Sequence, residues 1–334
     1  MTTGSSRYDR AFARRMISIP LVYLALPLWT VLSPIVVPVA LLIDVIQGRW
    51  RVPTIRLWIF ALVFTVHEWI GVAYATRLWV RGHFGQRLDL ERHRCVQAWW
   101  ATSLLGWARR LLHVELDLGD AASVPDGELI VLSRHASMID ALIPAVLFTG
   151  ILDRPVHYVL KKELQWIPNI DIYGHRLGNH FVDRDGDRAS ELAGIAQLAQ
   201  RALPDSALVI FPEGTYATAA SKQRVARSLE RRQHSHLASL NDELVRLLPP
   251  RAAGSLSLLD QRPTSPVMIL GHVGLEGVAE LRGLRRHLPA RSPVVVRWWM
   301  QPRSSIPPDP PGRIEWLEDQ WRTLDRWVVQ ELDS

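Results

Sequence analysis

The sequence predicts an α/β protein, with a central mostly parallel or mixed β-sheet flanked by helices and an N-terminal membrane-embedded helical hairpin in front of it. Three observations predict this. Two long apolar stretches, residues 17–43 and 57–76, lie near the N-terminus, and roughly 20 apolar residues are enough for a helix to cross a bilayer. After them, short apolar and β-branched runs recur at 113–118, 129–132, 156–160, 180–182, 207–211, 266–271 and 294–300, separated by helical or turn-rich segments, the alternation of a sheet crossed by helices. Finally, a chain of 334 residues that is 48% hydrophobic and 22% charged can fill one large or two modest cores and lacks the bias of a disordered protein.

Taken in order, residues 1–16 form a basic tail containing Arg7, Arg10, Arg14 and Arg15. No charge interrupts residues 17–43, although Pro20, Pro27, Pro34 and Pro38 are expected to kink or break a helix there. The run exceeds the 7 to 15 apolar residues of a cleaved leader and no small-x-small site follows it closely, so it reads as retained. Arg56 and Arg77 bracket the second stretch, which carries His67 and Glu68 near its middle; ionisable groups at that depth need a protein partner or water. Residues 17–78 therefore read as a two-segment hairpin. Trp29, Trp50, Trp58, Trp69 and Trp79 are scattered through it, those near the ends suiting an interfacial belt. Arginines outweigh on the outer flanks, favouring termini and main domain on the cytoplasmic side.

Residues 79–112 form a basic connector and an amphipathic helix at 95–112, ending near Arg109 and Arg110. Residues 113–334 supply the α/β domain. Within it, 221–248 reads as a long helix or a helical hairpin, with Lys222, Arg224, Arg227, Arg231 and Arg232 either solvated or turned to anionic lipid or a cofactor phosphate. Apolar residues at helical spacing over 314–332 predict a closing helix.

The net charge of +6 and pI near 9.9 favour anionic partners without choosing among nucleic acid, acidic lipid and phosphorylated substrate. One cysteine, Cys95, excludes an intrachain disulfide scaffold and a multi-cysteine metal cluster. His67-Glu68 opens an H-E-x-x-H pattern, but position 71 is glycine. GHVGLEG at 271–277 is not a dinucleotide fingerprint, and Gly254 to Leu258 lacks the second glycine of a nucleophile elbow. His175 and His272 read as structural.

His135 and Asp140 stand in VLSRHASMIDALIP, after an expected strand. An imidazole can take a proton from a hydroxyl near neutral pH, and a carboxylate on its other nitrogen would set the tautomer and stabilise the imidazolium. Spacing alone is not specific, since His180 and Asp185 repeat it. Ser137 and Asp140 also have capping-box spacing. Five residues of continuous helix would set His135 and Asp140 about 140° apart, so their contact requires His135 before the helix and Ser137 as its N-cap.

Two further segments follow in order: KKELQWIPNIDIYGHRLGNHFVDR at 161–184 and VIFPEGT at 209–215. Together with HASMID they resemble the glycerolipid acyltransferase family, specifically the 1-acylglycerol-3-phosphate acyltransferases, whose blocks run H-x4-D, K-x-E-L with I-P and G-x-x-F-x-D-R, then F-P-E-G-T. A fourth block, a hydrophobic strand with proline, is matched more loosely by Pro266 in SPVMILGH. The resemblance implies His135 as general base and Asp140 as its orienting partner. It implies Arg184 as the acceptor-phosphate contact with Lys162 as helper, a guanidinium suiting phosphate through bidentate bonds. Glu213, with the Gly214 and Thr215 backbone, would shape the acceptor site.

The implied reaction moves an acyl group from acyl-CoA or acyl-carrier protein to the free hydroxyl of 1-acylglycerol-3-phosphate, with no metal, cofactor or covalent acyl-enzyme. Its partners would be a lysophospholipid acceptor, an acyl thioester donor and membrane lipids, without nucleic acid. Two features depart from the pattern. Tyr216 stands where the family commonly has arginine after E-G-T, and the interval from Thr215 to Pro266 is long, as in the family's long-insert branch. Another lysophospholipid acceptor, such as lysophosphatidylinositol, thus stays open, as does a catalytically silent lipid-binding scaffold.

Overall fold

The computed structural model describes residues 4–137, 139–278 and 281–333. Residues 1–3 and the side chains of Arg7 and Arg10 in the basic tail, and Met138 within HASMID, lie outside that description. In chain order the helices are α1 (Gly4–Ile46), α2 (Pro53–Arg81), α3 (Leu90–Leu112), α4 (Leu142–Pro144, running into a π-helix at Ala145–Ile151), α5 (Pro168–Arg176), α6 (Arg188–Arg201), α7 (Ala219–Arg231), α8 (Ser235–Glu243), α9 (Ala252–Gln261), α10 (Leu281–His287) and α11 (Pro310–Asp333). The strands are β1 (Leu116–Asp117), β2 (Leu129–Ser133), β3 (Val156–Lys161), β4 (His180–Val182), β5 (Ala207–Ile210), β6 (Val267–Val273) and β7 (Val294–Gln301).

The chain divides into two compact units. The first comprises Met1–Val114, Leu160–Arg184 and Leu288–Ala290, and the second Glu115–Val159, Asp185–His287 and Arg291–Ser334.

In the first unit, α1 is one continuous helix with all four prolines inside it, so the expected break does not occur. Its stretch Ala11–Ile46 and the whole of α2 are long and apolar enough to cross a membrane. Leu24, Val31 and Ile35 are each about two-thirds exposed, and a helix that is apolar all round yet leaves those faces uncovered suits lipid rather than water. The hairpin bend is held by Asp44, fully buried, whose carboxylate accepts the Thr54 amide (2.9 Å) and hydroxyl (2.6 Å). Pro53 occupies the first turn of α2, where its missing N–H costs nothing.

The ionisable pair in α2 finds protein partners. Glu68 accepts from the Trp100 indole on α3 (3.1 Å) and from the Asn169 amide on α5 (3.0 Å), and the Asn169 side chain donates to the His67 carbonyl. His67 Nε2 meets Ser103 Oγ at 2.8 Å. A Cβ at Gly71 would fall 2.3 Å from the Asn169 side chain, so the glycine is what lets α5 approach α2. Further along α5, Asp171 is fully buried and pairs with Arg14 and Arg15 of α1 at 2.6 Å each. Burial alone would raise this carboxyl; hydrogen bonds from His175 and Arg15 and the two guanidinium charges bring it down to about 2.

The sheet has the order β1-β7-β6-β2-β5-β3-β4 and is mixed. β2 runs parallel to both β5 and β6, β3 parallel to β5, β1 parallel to β7, and only β6 with β7 is antiparallel among the described pairs. β2, β5 and β6 are buried throughout, which explains their continuous apolar runs. The segment 221–248 resolves into the two helices α7 and α8. Thr218 caps α7 by accepting from Ser221 N (3.1 Å). On α11, Asp325 accepts the amides of Val245, Arg246 and Leu247 at 2.7–2.8 Å, which fastens the chain just after α8. Strand β1 is shorter than the expected 113–118, beginning at Leu116 opposite Val294.

Candidate active site

Three adjacent strands of the second unit, β6, β2 and β5, run parallel, so their carboxyl ends lie on one edge of the sheet, the edge where α/β folds bind ligands. The HASMID loop follows β2, the FPEGT turn follows β5, and His272 sits near the end of β6.

His135 lies two residues beyond β2, in extended backbone, and the next regular helix begins only at Leu142. Ser137 is therefore not the N-cap of a continuous helix, as the spacing suggests; residues 139–141 form a turn first. The reason is the use made of Asp140. Its Oδ2 makes the capping-box bond to the Ser137 amide (2.8 Å) but also accepts from the Ala136 amide (2.6 Å) and His135 Nδ1 (3.1 Å), while Ser137 Oγ, which accepts from the Ile139 amide (3.3 Å), donates to Oδ1. The loop wraps around its own carboxylate. Asp140 is fully buried; burial by itself would raise its pKa, but His272 and His135 hold it well below the usual carboxylate range. It stays ionised at any working pH.

With Nδ1 turned to Asp140, proton transfer falls to His135 Nε2. The imidazole is walled by two rings from the β5 turn: Phe211, centroids 4.7 Å apart, and Tyr216, edge-on at 4.5 Å. Its side chain is 10% exposed, enough for a substrate atom to reach and little enough to limit water.

The FPEGT segment makes a tight turn in which Gly214 N donates to Phe211 O (3.0 Å). Pro212 suits the second position, and Gly214 adopts φ +68°, a conformation glycine takes at no steric cost. Glu213 is 2% exposed. Its Oε1 accepts the His135 amide (2.8 Å) and its Oε2 the Leu248 amide (3.1 Å), so it shapes the site by joining the HASMID loop to the segment after α8. Burial pushes the Glu213 carboxyl up to about 8, against the pull of those amides and of Arg134. Ala217 N donates to the His135 carbonyl (3.0 Å), a second tie between the two motifs.

The structure thus brings His135, Asp140, Glu213 and Gly214 into one cluster, with Thr215 following in the turn. Lys162 and Arg184 belong to the first unit. There both are exposed, and Lys162 is ion-paired with Asp183. His180 and Asp185, the chance repeat of the spacing, fall in different units.

Two members of the cluster were not anticipated. Arg134 is 1% exposed; its guanidinium donates to the His272 carbonyl and pairs with Glu276 at 2.6 Å, tying β2 to β6 directly beneath His135. A charged residue closing a run as apolar as LIVLS was the available signal. His272, expected to be structural, lies with Nε2 3.4 Å from Asp140 Oδ1, and no sequence spacing connects residues so far apart.

Residues 116–248 match the family model described as Acyltransferase. No curated protein matches the chain. Among solved structures, the chain is similar to the 1-acyl-sn-glycerophosphate (LPA) acyltransferase PlsC from Thermotoga maritima, with 15% identity and a TM-score of 0.53 over 82% of this chain and 96% of that one. At that identity the likeness speaks for the fold. The domain match gives residues 116–248 as an acyltransferase domain, on a fold shared with that solved enzyme.

Proposed function

We propose that the chain transfers an acyl group from an acyl thioester, acyl-CoA or acyl-carrier protein, to the free hydroxyl of 1-acylglycerol-3-phosphate, forming phosphatidic acid at a membrane. The observation that carries this reading is the His135–Asp140 contact of 3.1 Å between an imidazole 10% exposed and a fully buried carboxylate. His135 Nε2 takes the acceptor's hydroxyl proton as the oxygen attacks the thioester carbonyl. Asp140, already ionised and saturated with donors, stabilises the imidazolium that forms. Collapse of the tetrahedral intermediate breaks the C–S bond, and the departing thiolate recovers the proton from His135, giving an ester and a free thiol. No step calls for a metal or a covalent acyl-enzyme.

Arg184 and Lys162 are assigned to the acceptor phosphate on the motif resemblance alone. Helices α1 and α2 would act as the membrane hairpin, with the catalytic unit on the cytoplasmic side, so that acyl tails need not leave the interface. Tyr216 in place of the family's arginine supports a second reading, in which the acceptor is another lysophospholipid such as lysophosphatidylinositol.

The test is acyl transfer by the purified full-length protein, offered both donor types and a panel of lysolipids. The reading requires phosphatidic acid from lysophosphatidic acid and its loss in His135→Ala. Transfer that is equal in wild type and His135→Ala would overturn the mechanism, and no transfer by the wild type to any acceptor would leave a silent lipid-binding role.

A further inference from the structure

Strand β6 reads Val267-Met-Ile-Leu-Gly-His-Val273 and is buried along its whole length. His272 is its one ionisable side chain and is fully buried. Neither ring nitrogen makes a hydrogen bond within the described residues, and a buried polar group left unmet is destabilising. An apolar residue would suit the strand better, so packing does not account for the histidine. Its surroundings do. Nε2 lies 3.4 Å from Asp140 Oδ1, at ion-pair distance though without the alignment of a hydrogen bond, whereas His135 meets the other oxygen, Oδ2.

We propose that His272 is a positioning residue for the catalytic pair, holding the Asp140 carboxylate from behind so that it lies between two imidazoles. The inference rests on the acyltransferase reading and adds to it a third residue, contributed by a different strand. Among the described residues, Asp140 Oδ2 is taken up by His135 and two amides, and Oδ1 by Ser137 Oγ with His272 beside it. A donor at Nε2 orients the carboxylate and also lowers its basicity toward His135. The imidazolium of His135 is then stabilised less than by an unshared carboxylate, which keeps the base deprotonated to lower pH.

Other charges on the surrounding elements have partners. Arg134 pairs with Glu276, Glu213 is held by two amides, Asp325 of α11 by the amides of 245–247, and Arg297 of β7 by Asp117. Among the described residues, Glu213 and His272 face Asp140, and His272 is the one at ion-pair distance from its Oδ1.

The experiment compares His272→Leu, His272→Gln and His272→Asn in the full-length protein, measuring kcat, KM for each substrate, the pH profile of kcat/KM and the unfolding midpoint. Glutamine places an amide N–H near the Nε2 position, and asparagine near Nδ1. We expect His272→Leu and His272→Asn to lose on the order of 10-fold in kcat with KM little changed. The acid limb of the profile should move to higher pH, because His135 becomes more basic. His272→Gln should retain most of the rate and the wild-type limb. A glutamine variant that folds but behaves like the leucine one, or an asparagine variant equal to glutamine, overturns the proposal. So does a loss that follows the unfolding midpoint with the acid limb unmoved. His135→Ala separates the two levels: if it is inactive while His272→Leu matches wild type in rate and pH profile, only the role of His272 fails. If His135→Ala is active, the underlying reading fails.

Discussion

Buried carboxylates organise both compact units, but they reach very different distances along the chain. In the first unit, Asp171 holds Arg14 and Arg15 across 157 and 156 positions, and Glu68 takes the Asn169 amide across 101. In the second, the described hydrogen bonds to the Asp140 Oδ2 come from three, four and five positions away, with His272 a distant neighbour. A carboxylate with remote partners is a cross-link, and removing it releases whole helices. One enclosed by its own loop takes its hydrogen bonds locally, and its burial is best understood through the imidazoles it faces. Preorganised charge of that kind acts on a developing cation without rearranging at the moment of reaction.

The contrast can be broken most decisively at the dyad. His135→Ala is expected to lower acyl transfer by on the order of 10³-fold, and Asp140→Asn by about 10²-fold or more, each measured as kcat/KM per folded protein. Glu68→Gln and Asp171→Asn should leave that quantity within a few-fold and lower the unfolding midpoint instead. Equal loss of rate in both sets would erase the distinction between orienting and cross-linking carboxylates.

Glu213 stands between the two types, since it reaches 78 positions to His135 and 35 to Leu248 yet sits beside the base. Glu213→Ala leaves two buried amides unmet, at about 1–3 kcal/mol each, and lets the HASMID loop drift, which is expected to cost about 10²-fold in kcat. Its pH signature follows from burial. The folded carboxyl titrates near 8, against a usual 4.5, so the folded state holds this proton more tightly than the unfolded one. That contribution to stability is full below about 4.5 and is lost as pH rises through 8. Unfolding midpoints measured from pH 5 to 9 should decline more steeply in wild type than in Glu213→Gln.

Asp171 has the opposite sign. Its folded carboxyl is depressed to about 2, so its stabilisation is present above the unfolded value near 3.8 and disappears as pH falls through 2. Asp171→Asn should destabilise the protein by about 3 kcal/mol at neutral pH, and the difference from wild type should shrink on acidification. A gap that is constant with pH would mean that the ion pairs with Arg14 and Arg15 contribute little.

These regions also differ in how far they could be read from sequence. Strands β4 and β5 and helices α2, α3 and α11 announce themselves by apolar periodicity, which depends on neighbours a few residues apart. The HASMID and FPEGT segments were legible because their chemistry is local and their order specific. The four prolines of α1 misled, because a helix in apolar surroundings tolerates breaks in its ladder that propensity penalises. Helix α4 starts only at Leu142, later than the capping-box spacing suggests, because Asp140 makes the box's bond to Ser137 and at the same time holds His135 and the Ala136 amide in a turn. The roles of Arg134, His272 and Asp171 were out of reach, since each depends on which strand or helix becomes its neighbour, and no local pattern carries that.

Tyr216 offers the finest test, being the point where motif and structure meet. The family commonly has arginine there, whereas here a phenol ring stands edge-on against His135 at 4.5 Å. If the ring serves chiefly to wall the imidazole, Tyr216→Phe should keep both rate and acceptor ranking. Tyr216→Arg exchanges that wall for a cation and is expected to shift the ratio of kcat/KM between lysophosphatidic acid and lysophosphatidylinositol toward the former by about 3- to 10-fold, since one charge-assisted contact is worth about 1 kcal/mol in discrimination. A change of ranking in Tyr216→Phe would mean instead that the hydroxyl reads the acceptor. Acceptor choice would then be made by the residue that lines the base, so that binding and proton transfer would be set by one side chain.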